Sequence, residues 1–468
     1  METYRLFIGG EWIEGDSGTY IEVENPATKK AFARVPEGNG ADVEKAVEAA
    51  ERALPQWSGL APEERAAYID KIADYFEEHK EEIGKTVTKE LGAPKKMVID
   101  WHVASPVAEA RFFAETARTF PYEEKKEGVI IRREPVGIVA GITPWNYPLD
   151  QVTVKLLPAL SAGNCVIVKP SQQTPLSVYA LAKAVEAAGM PKGVFNVVTG
   201  RGGAVGNLLA AHKKIRMISF TGSTGAGIEV GRLALSNVKK IALELGGKSA
   251  SVLLKSGDMK KAVESTLLKC FMNTGQTCSA LTRFIVPRER KEETEVYMKE
   301  FTQTLKVGDP MDETVDIGPV VNENAFKKIK GYIEKGLEEG ADMIVGKVPE
   351  TCENGYYVEP VIFTEVDNKM VIAREEIFGP VLCVIYYDRE DEALEIANDS
   401  PYGLSGAVFG EDEEARAFAE KMETGVIHVN GAPFTVQAPF GGYKESGIGR
   451  ENSVFSFDEY LEIKSVLV

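Results

Sequence analysis

Cross-linking and metal-binding residues are scarce in this chain. Its five cysteines, Cys165, Cys270, Cys278, Cys352 and Cys383, are odd in number and widely spread, and no C-x-x-C pair occurs. That argues against a disulfide framework and against a zinc site. The four histidines, His79, His102, His212 and His428, form no metal-spacing pattern, so no metal is expected. Basic charge is also short: 54 Lys and Arg face 71 Asp and Glu, a net charge of −17. Such a surface repels nucleic acid and anionic membranes. No apolar run approaches the ~18 residues that a membrane span needs; the longest, Val381 to Tyr387, is strand-sized. Met1 to Arg5 lack a basic region followed by an apolar core, so no signal peptide is visible. A reduced cytoplasm is the expected setting, with neither nucleic acid nor membrane as a partner.

What is present is the composition of a globular protein of several domains: 468 residues, 44% hydrophobic and 27% charged. Tyr4 to Glu14 read as a hairpin around Gly9-Gly10. Asp42 is expected to cap a helix whose apolar positions Val43, Ala46, Val47, Ala50 and Leu54 follow helical spacing. A second long helix is expected from Pro62 to Leu91, stopped by Gly92. From Val136 onward, short aliphatic runs (Val136–Ile142, Cys165–Val168, Val194–Val198, Arg216–Phe220, Ile241–Leu245) alternate with helical segments such as Pro175–Ala188 and Thr224–Leu235. Buried strands alternating with helices predict a doubly wound parallel sheet, whose ligands bind beyond the carboxyl ends of the strands. A second α/β unit is expected from about Lys248, with strands at Ser251–Leu254, Phe284–Val286, Val381–Tyr387 and Gly425–Val429.

Three segments carry chemistry. Asn273-Thr274-Gly275-Gln276-Thr277-Cys278-Ser279 sets one cysteine in a polar, glycine-containing turn, whereas inert structural cysteines sit among aliphatic neighbours. Leu243-Glu244-Leu245-Gly246-Gly247 sets a carboxylate between two leucines before a glycine turn. Ile142-Thr143-Pro144-Trp145-Asn146-Tyr147-Pro148 supplies a side-chain amide. A thiol, a carboxylate in apolar surroundings and an amide are the parts that covalent chemistry on a carbonyl needs. Thr221-Gly222-Ser223-Thr224 ends a strand and opens a helix, a place that favours phosphate, although its spacing is not G-x-G-x-x-G.

In their order and separation these segments resemble the aldehyde dehydrogenase superfamily, and the resemblance covers essentially the whole chain. It implies two α/β domains and a small oligomerisation arm: residues 1–118 and 136–247 for the cofactor, 248–447 for catalysis, and 119–135 with 448–468 for the arm. Cys278 would be the nucleophile, Glu244 the base that activates water, and Asn146 the donor to the oxyanion, with Lys155 and Glu451 on a proton path to solvent. Cofactor contacts would come from Ile142, Thr143, Pro144, Trp145, Lys169, Ser171, Gln172, Gly222, Ser223, Leu245, Gly246, Glu376 and Phe378. Tyr147, Val154 and Thr277 would line the aldehyde tunnel, and Phe440–Gly447 its walls. Where NAD-preferring members carry a glutamate three positions after the lysine, this chain has Gln172. A neutral amide does not repel a 2′-phosphate, so NADP as well as NAD is the expected cofactor. Val154 stands where some aliphatic-aldehyde members have a bulky aromatic, which predicts room for an aromatic or medium-sized aldehyde. The arm implies a homodimer or homotetramer. A coenzyme A-acylating dehydrogenase and a thiol esterase are the alternatives; a glutamate at position 244 favours hydrolysis to the free acid.

Overall fold

The computed structural model describes residues 1–468. Five parallel strands form the centre of the first sheet, in the spatial order Lys240–Glu244, Met217–Thr221, Ile138–Ile142, Cys165–Lys169, Phe195–Val197. Antiparallel pieces finish both edges: Gly447–Ile448 at one, and the hairpin Leu6–Ile8 with Glu11–Ile13 at the other. The five central strands are largely apolar and mostly buried on both faces, as a sheet covered by helices requires. The second sheet has seven strands, in the order Asp342–Val345, Val361–Thr364, Val381–Tyr387, Arg283–Pro287, Ala250–Leu253, Ser405–Phe409, Val426–Val429; only the first of these runs antiparallel. Glu123–Lys126, Val129–Pro135 and Leu461–Leu467 make a separate antiparallel sheet. One large apolar core lies around the first sheet and three smaller ones around the second. No helix is long and apolar enough to cross a membrane.

Several local expectations need correction. Asn39, not Asp42, caps the first helix, Gly40–Ser58; Asp42 is its reciprocal partner, accepting the Asn39 N–H at 3.1 Å while Asn39 accepts from Ala41 and Asp42. The expected helix 62–91 is two helices, Pro62–Glu78 and Lys80–Leu91, broken at His79. Sequence spacing hides the break because the buried stripe passes from Phe76 to Ile83 at i, i+7. Gly92 ends the second with φ +86, as expected. Val361–Thr364, Ser405–Phe409 and Asp342–Val345 were not legible as strands, being short and, at Ser405-Gly406-Ala407, built of small residues.

Within the second unit, the loop that carries Cys278 meets the turn before Val381–Tyr387 backbone to backbone. Gly275, at φ +73, lies where an added Cβ would sit 2.2 Å from the Gly379 carbonyl carbon and oxygen. Gly275→Ala therefore combines left-handed strain with a backbone collision and is expected to cost roughly 3 kcal/mol or more. Gly331, inside the helix Glu323–Glu338, has open space around it. Gly331→Ala is expected to stabilise by up to about 1 kcal/mol. Thermal midpoints of the two variants, moving in opposite directions from the parent, check the contrast.

Candidate active site

The strands of the first sheet end at Ile142, Lys169, Thr221 and Glu244, so the candidate residues leave the sheet along one edge. Cys278 arrives from the second unit. Helix Met259–Phe271 delivers it through a tight turn in which Asn273 and Thr274 both have left-handed backbones, φ 53 and 58. Two consecutive residues of that kind are strained, by about 1–2 kcal/mol each. Buried hydrogen bonds hold the turn: Asn273 Nδ2 donates to the Asn146 carbonyl at 2.7 Å, Thr274 Oγ1 to Gly318 O at 3.1 Å, and Gln276 Oε1 accepts from Val321 N–H at 2.8 Å. The heptad's polar residues are thus spent on positioning the cysteine. Beneath it, a Cβ on Gly247 would lie 2.5 Å from the Cys278 carbonyl oxygen, so only glycine lets the Glu244 segment pass this close.

Two cavities of about 320 Å³ each open from Cys278, and Cys278 is the only residue that lines both. The first runs between the units, past Pro144, Trp145, Asn146, Thr221, Gly222, Ser223, Leu245, Gly246, Glu376 and Phe378. Phe378, at φ 63, packs edge-on against Trp145 with centroids 5.2 Å apart. Glu376 accepts the Gly247 N–H at 3.0 Å. Ser223 caps the helix Thr224–Leu235, whose N-terminus opens beside the cavity, and Thr221 Oγ1 is buried there without a partner. A helix N-terminus and an unsatisfied hydroxyl fit a pyrophosphate, so these residues suit a dinucleotide. Ile142, Thr143, Lys169, Ser171 and Gln172 stand off the lining. Ile142 and Lys169 are register partners on adjacent strands. The Lys169 ammonium donates to the Pro170 carbonyl at 2.8 Å, and burial draws its pKa down to about 8.

The second cavity is lined by Tyr147, Val154, Thr277 and Phe440, all named by the sequence, and by others it did not single out: Trp101, Glu109, Asp150, Lys269, His428 and Phe434. Tyr147 is held on both sides. Its hydroxyl shares a 2.9 Å hydrogen bond with Thr277 Oγ1, and its ring stacks on His102 at 4.5 Å. His102 is buried without a hydrogen-bond partner, and burial pulls its pKa to about 3, so it stacks as the neutral imidazole. No sequence signal marked it; it sits in a π-helical turn, Val98–Val103, which periodicity does not reveal. From the first cavity the sequence had likewise not signalled Asn322 or Lys328, an ordinary helix cap and a helix-surface lysine.

Glu244 is buried behind the cysteine, with Oε2 unpaired. Burial first, then the Glu451 carboxylate, pushes its pKa well above the usual carboxylate range. Lys155 is buried and ion-paired with Glu451, and Gln151 Oε1 accepts from it at 3.3 Å. Cys278 is partly exposed, through the cavities it joins. Its thiol is held far above the ordinary range by burial, then by the charges of Glu244, Glu376 and Glu451. The thiol thus rests protonated, and Glu244 holds its proton to higher pH than an ordinary carboxyl. Because the Glu244 charge opposes thiolate formation, Glu244→Gln lowers the thiol pKa. Alkylation of Cys278 at alkaline pH, followed by peptide mass spectrometry, is expected to speed up by roughly threefold, about half a pKa unit; an unchanged or slower rate would contradict this electrostatic reading.

The model of the aldehyde dehydrogenase family matches residues 12–466. A curated Staphylococcus haemolyticus (strain JCSC1435) relative is 42% identical over 470 residues, 100% of this chain and 99% of its own. Among solved structures, a cysteine-to-alanine mutant of aldehyde dehydrogenase C from Pseudomonas syringae, in complex with NAD+ and octanal, superimposes with a TM-score of 0.98 at 44% identity, covering 99% of this chain and 96% of that one. A Mycobacterium tuberculosis aldehyde dehydrogenase complexed with NAD+ gives 0.97 at 40% identity, covering 100% and 98%.

Proposed function

The chain belongs to the aldehyde dehydrogenase family, and from that premise we propose that it oxidises an aldehyde to the free carboxylic acid with NAD or NADP, by covalent catalysis at Cys278. The observation that carries the proposal is the meeting of two cavities at one thiol. One suits a dinucleotide and the other a small organic molecule, and a reaction between the two has only Cys278 in common. The solved relatives with NAD+, one of them also with octanal, support the same division.

The proposed course uses this chain's residues as follows. The Cys278 sulfur gives up its proton and adds to the aldehyde carbon, and the carbonyl oxygen becomes an oxyanion. The Asn146 amide and the Cys278 backbone N–H donate to that oxygen. When bound, the nicotinamide supplies the acceptor for the hydride that leaves the substrate carbon. The acyl group then remains on Cys278 as a thioester. Glu244, as carboxylate, takes a proton from water; the hydroxide oxygen adds to the acyl carbon, the C–S bond breaks, and the acid departs with the thiol restored. Burial around Glu244 serves this task because a base with a raised pKa accepts a proton more readily. The proton on Glu244 returns to the departing thiolate, and Lys155 and Glu451, paired behind Glu244, can carry to solvent the proton that Cys278 gave up on addition. Lys169 and Glu376 would hold the two riboses, and Gln172 would stand nearest the adenine ribose.

Val154 on the aldehyde cavity wall supports an aromatic or medium-sized substrate. A cytoplasmic homodimer or homotetramer is the proposed working form. Leu461–Leu467 is an edge strand that exposes Ile463 and Leu467, a surface suited to another copy.

The carboxylate form of Glu244 is the active base, so turnover limited by hydrolysis rises with pH through its raised pKa. Glu244→Gln is expected to abolish that limb and lower kcat by about 100-fold or more, while one equivalent of reduced nicotinamide still forms and the acyl mass stays on Cys278. Rapid quench with intact-protein mass spectrometry reads this; multiple turnovers without adduct would overturn the role of Glu244. Gln172→Glu is expected to depress kcat/KM for NADP selectively, by about tenfold or more. An unchanged NADP/NAD ratio would sink that assignment.

A further inference from the structure

Lys269 is the charged residue in the aldehyde cavity that has no counter-ion. It lies near the end of the helix Met259–Phe271, one turn before the cysteine's loop, and shares a face with Met272, which also lines the cavity. It is off the helix's buried stripe, formed by Val263, Leu267, Cys270 and Phe271, and a lysine there would ordinarily reach solvent. Here it is half-buried. The segment around Gly431 lies over the same helix face: a Cβ on Gly431 would come within 3.8 Å of Lys261 and Ser265, two turns and one turn earlier.

No carboxylate pairs with this ammonium, within ion-pair or hydrogen-bond distance. The three that line the cavity are engaged elsewhere. Glu451 is paired with Lys155. Glu109 accepts from Thr153 Oγ1 at 2.6 Å and Ser105 Oγ at 3.3 Å, and burial first, then the Asp150 charge, pushes its pKa well up; Asp150 is raised by burial, and hydrogen bonds from Ser105 and Glu109 work against that rise. The titratable neighbour of Lys269 is His428, which carries no negative charge and whose Nδ1 donates to the Ala432 carbonyl at 2.7 Å. The result is an ammonium partly removed from water, with nothing to neutralise it, facing the cavity that ends at the nucleophile.

We propose that Lys269 is a specificity residue that receives a carboxylate on the far end of the substrate, so that the preferred substrate is an aldehyde carrying an acid group. The inference rests on the aldehyde-oxidising reading of the same cavity. Trp101, Tyr147, Phe434 and Phe440 line the same cavity with aromatic rings, which suit an aromatic or short aliphatic spacer. A single lysine is a point charge, matched to one negative charge; a phosphate dianion calls for several convergent donors, and the cavity offers none beside it.

The test compares kcat/KM for para-carboxybenzaldehyde and para-tolualdehyde, which share a ring and differ at the far substituent mainly in charge. The parent enzyme is expected to favour the carboxylated aldehyde by about tenfold or more, with the preference shrinking at high ionic strength. Lys269→Met is expected to lower the ratio by about tenfold, chiefly through KM for the acid, and Lys269→Arg to retain it. Because the readout is a ratio within one protein, a general loss of folded enzyme does not mimic it. Turnover of para-tolualdehyde with no preference for the acid, or a ratio unchanged in Lys269→Met, overturns this inference and leaves aldehyde oxidation standing. No turnover of either aldehyde overturns both.

Discussion

The close approach of backbone to backbone at two glycines is the constraint on which the rest of the site depends. Gly275 against Gly379 seats the cysteine's loop on its own unit, and Gly247 against Cys278 brings the carboxyl edge of the first sheet within reach of that loop. A side chain at Gly275 would displace that loop, and one at Gly247 would wedge the units apart by more than a hydrogen bond can tolerate. With them closed, Asn273 can donate to the Asn146 carbonyl and Glu376 can accept from Gly247, and these are bonds between the units. The cavity between the units and the cavity above Tyr147 are what remains open once those contacts have formed. The site is therefore a property of the seam and not of either unit alone.

Electrostatics at the seam follows from that closure. Burial raises the pKa of the Cys278 thiol and of the Glu244 carboxyl, and neighbouring carboxylates reinforce both shifts. A thiol kept protonated is protected from adventitious oxidation and alkylation, because the thiolate is the reactive species. Under the proposed mechanism the same closure makes Glu244 a stronger base. Lys155 acts in the opposite direction, favouring the Glu244 carboxylate, and its ion pair with Glu451 keeps two buried charges from standing alone.

Chain patterning announced the central strands of the first sheet almost to the residue, because strands buried on both faces read as unbroken aliphatic runs. The same rule missed Ser405–Phe409, a parallel strand begun by small residues, whose burial comes from the helices above it and not from its own composition. It also ran one helix through His79, where the apolar register is continuous although the backbone is not. At the site, Glu244 and Cys278 stood out because each is chemically out of place among its neighbours. His102 and Lys269 did not. A histidine and a lysine on helical segments are unremarkable in sequence, and only the stacking on Tyr147 and the missing counter-ion make them distinctive.

The sequence by itself determined the two α/β units, the family, and the residue types available for chemistry, since these are written in local periodicity and in motifs of neighbouring residues. Tertiary structure alone decided which of those residues share a space. Lys155 and Glu451 are 296 positions apart, and Asn146 and Asn273 are 127 apart; no local pattern encodes such pairs. Charge balance within a cavity is likewise decided by packing, because whether a lysine is neutralised depends on what the folded chain brings beside it.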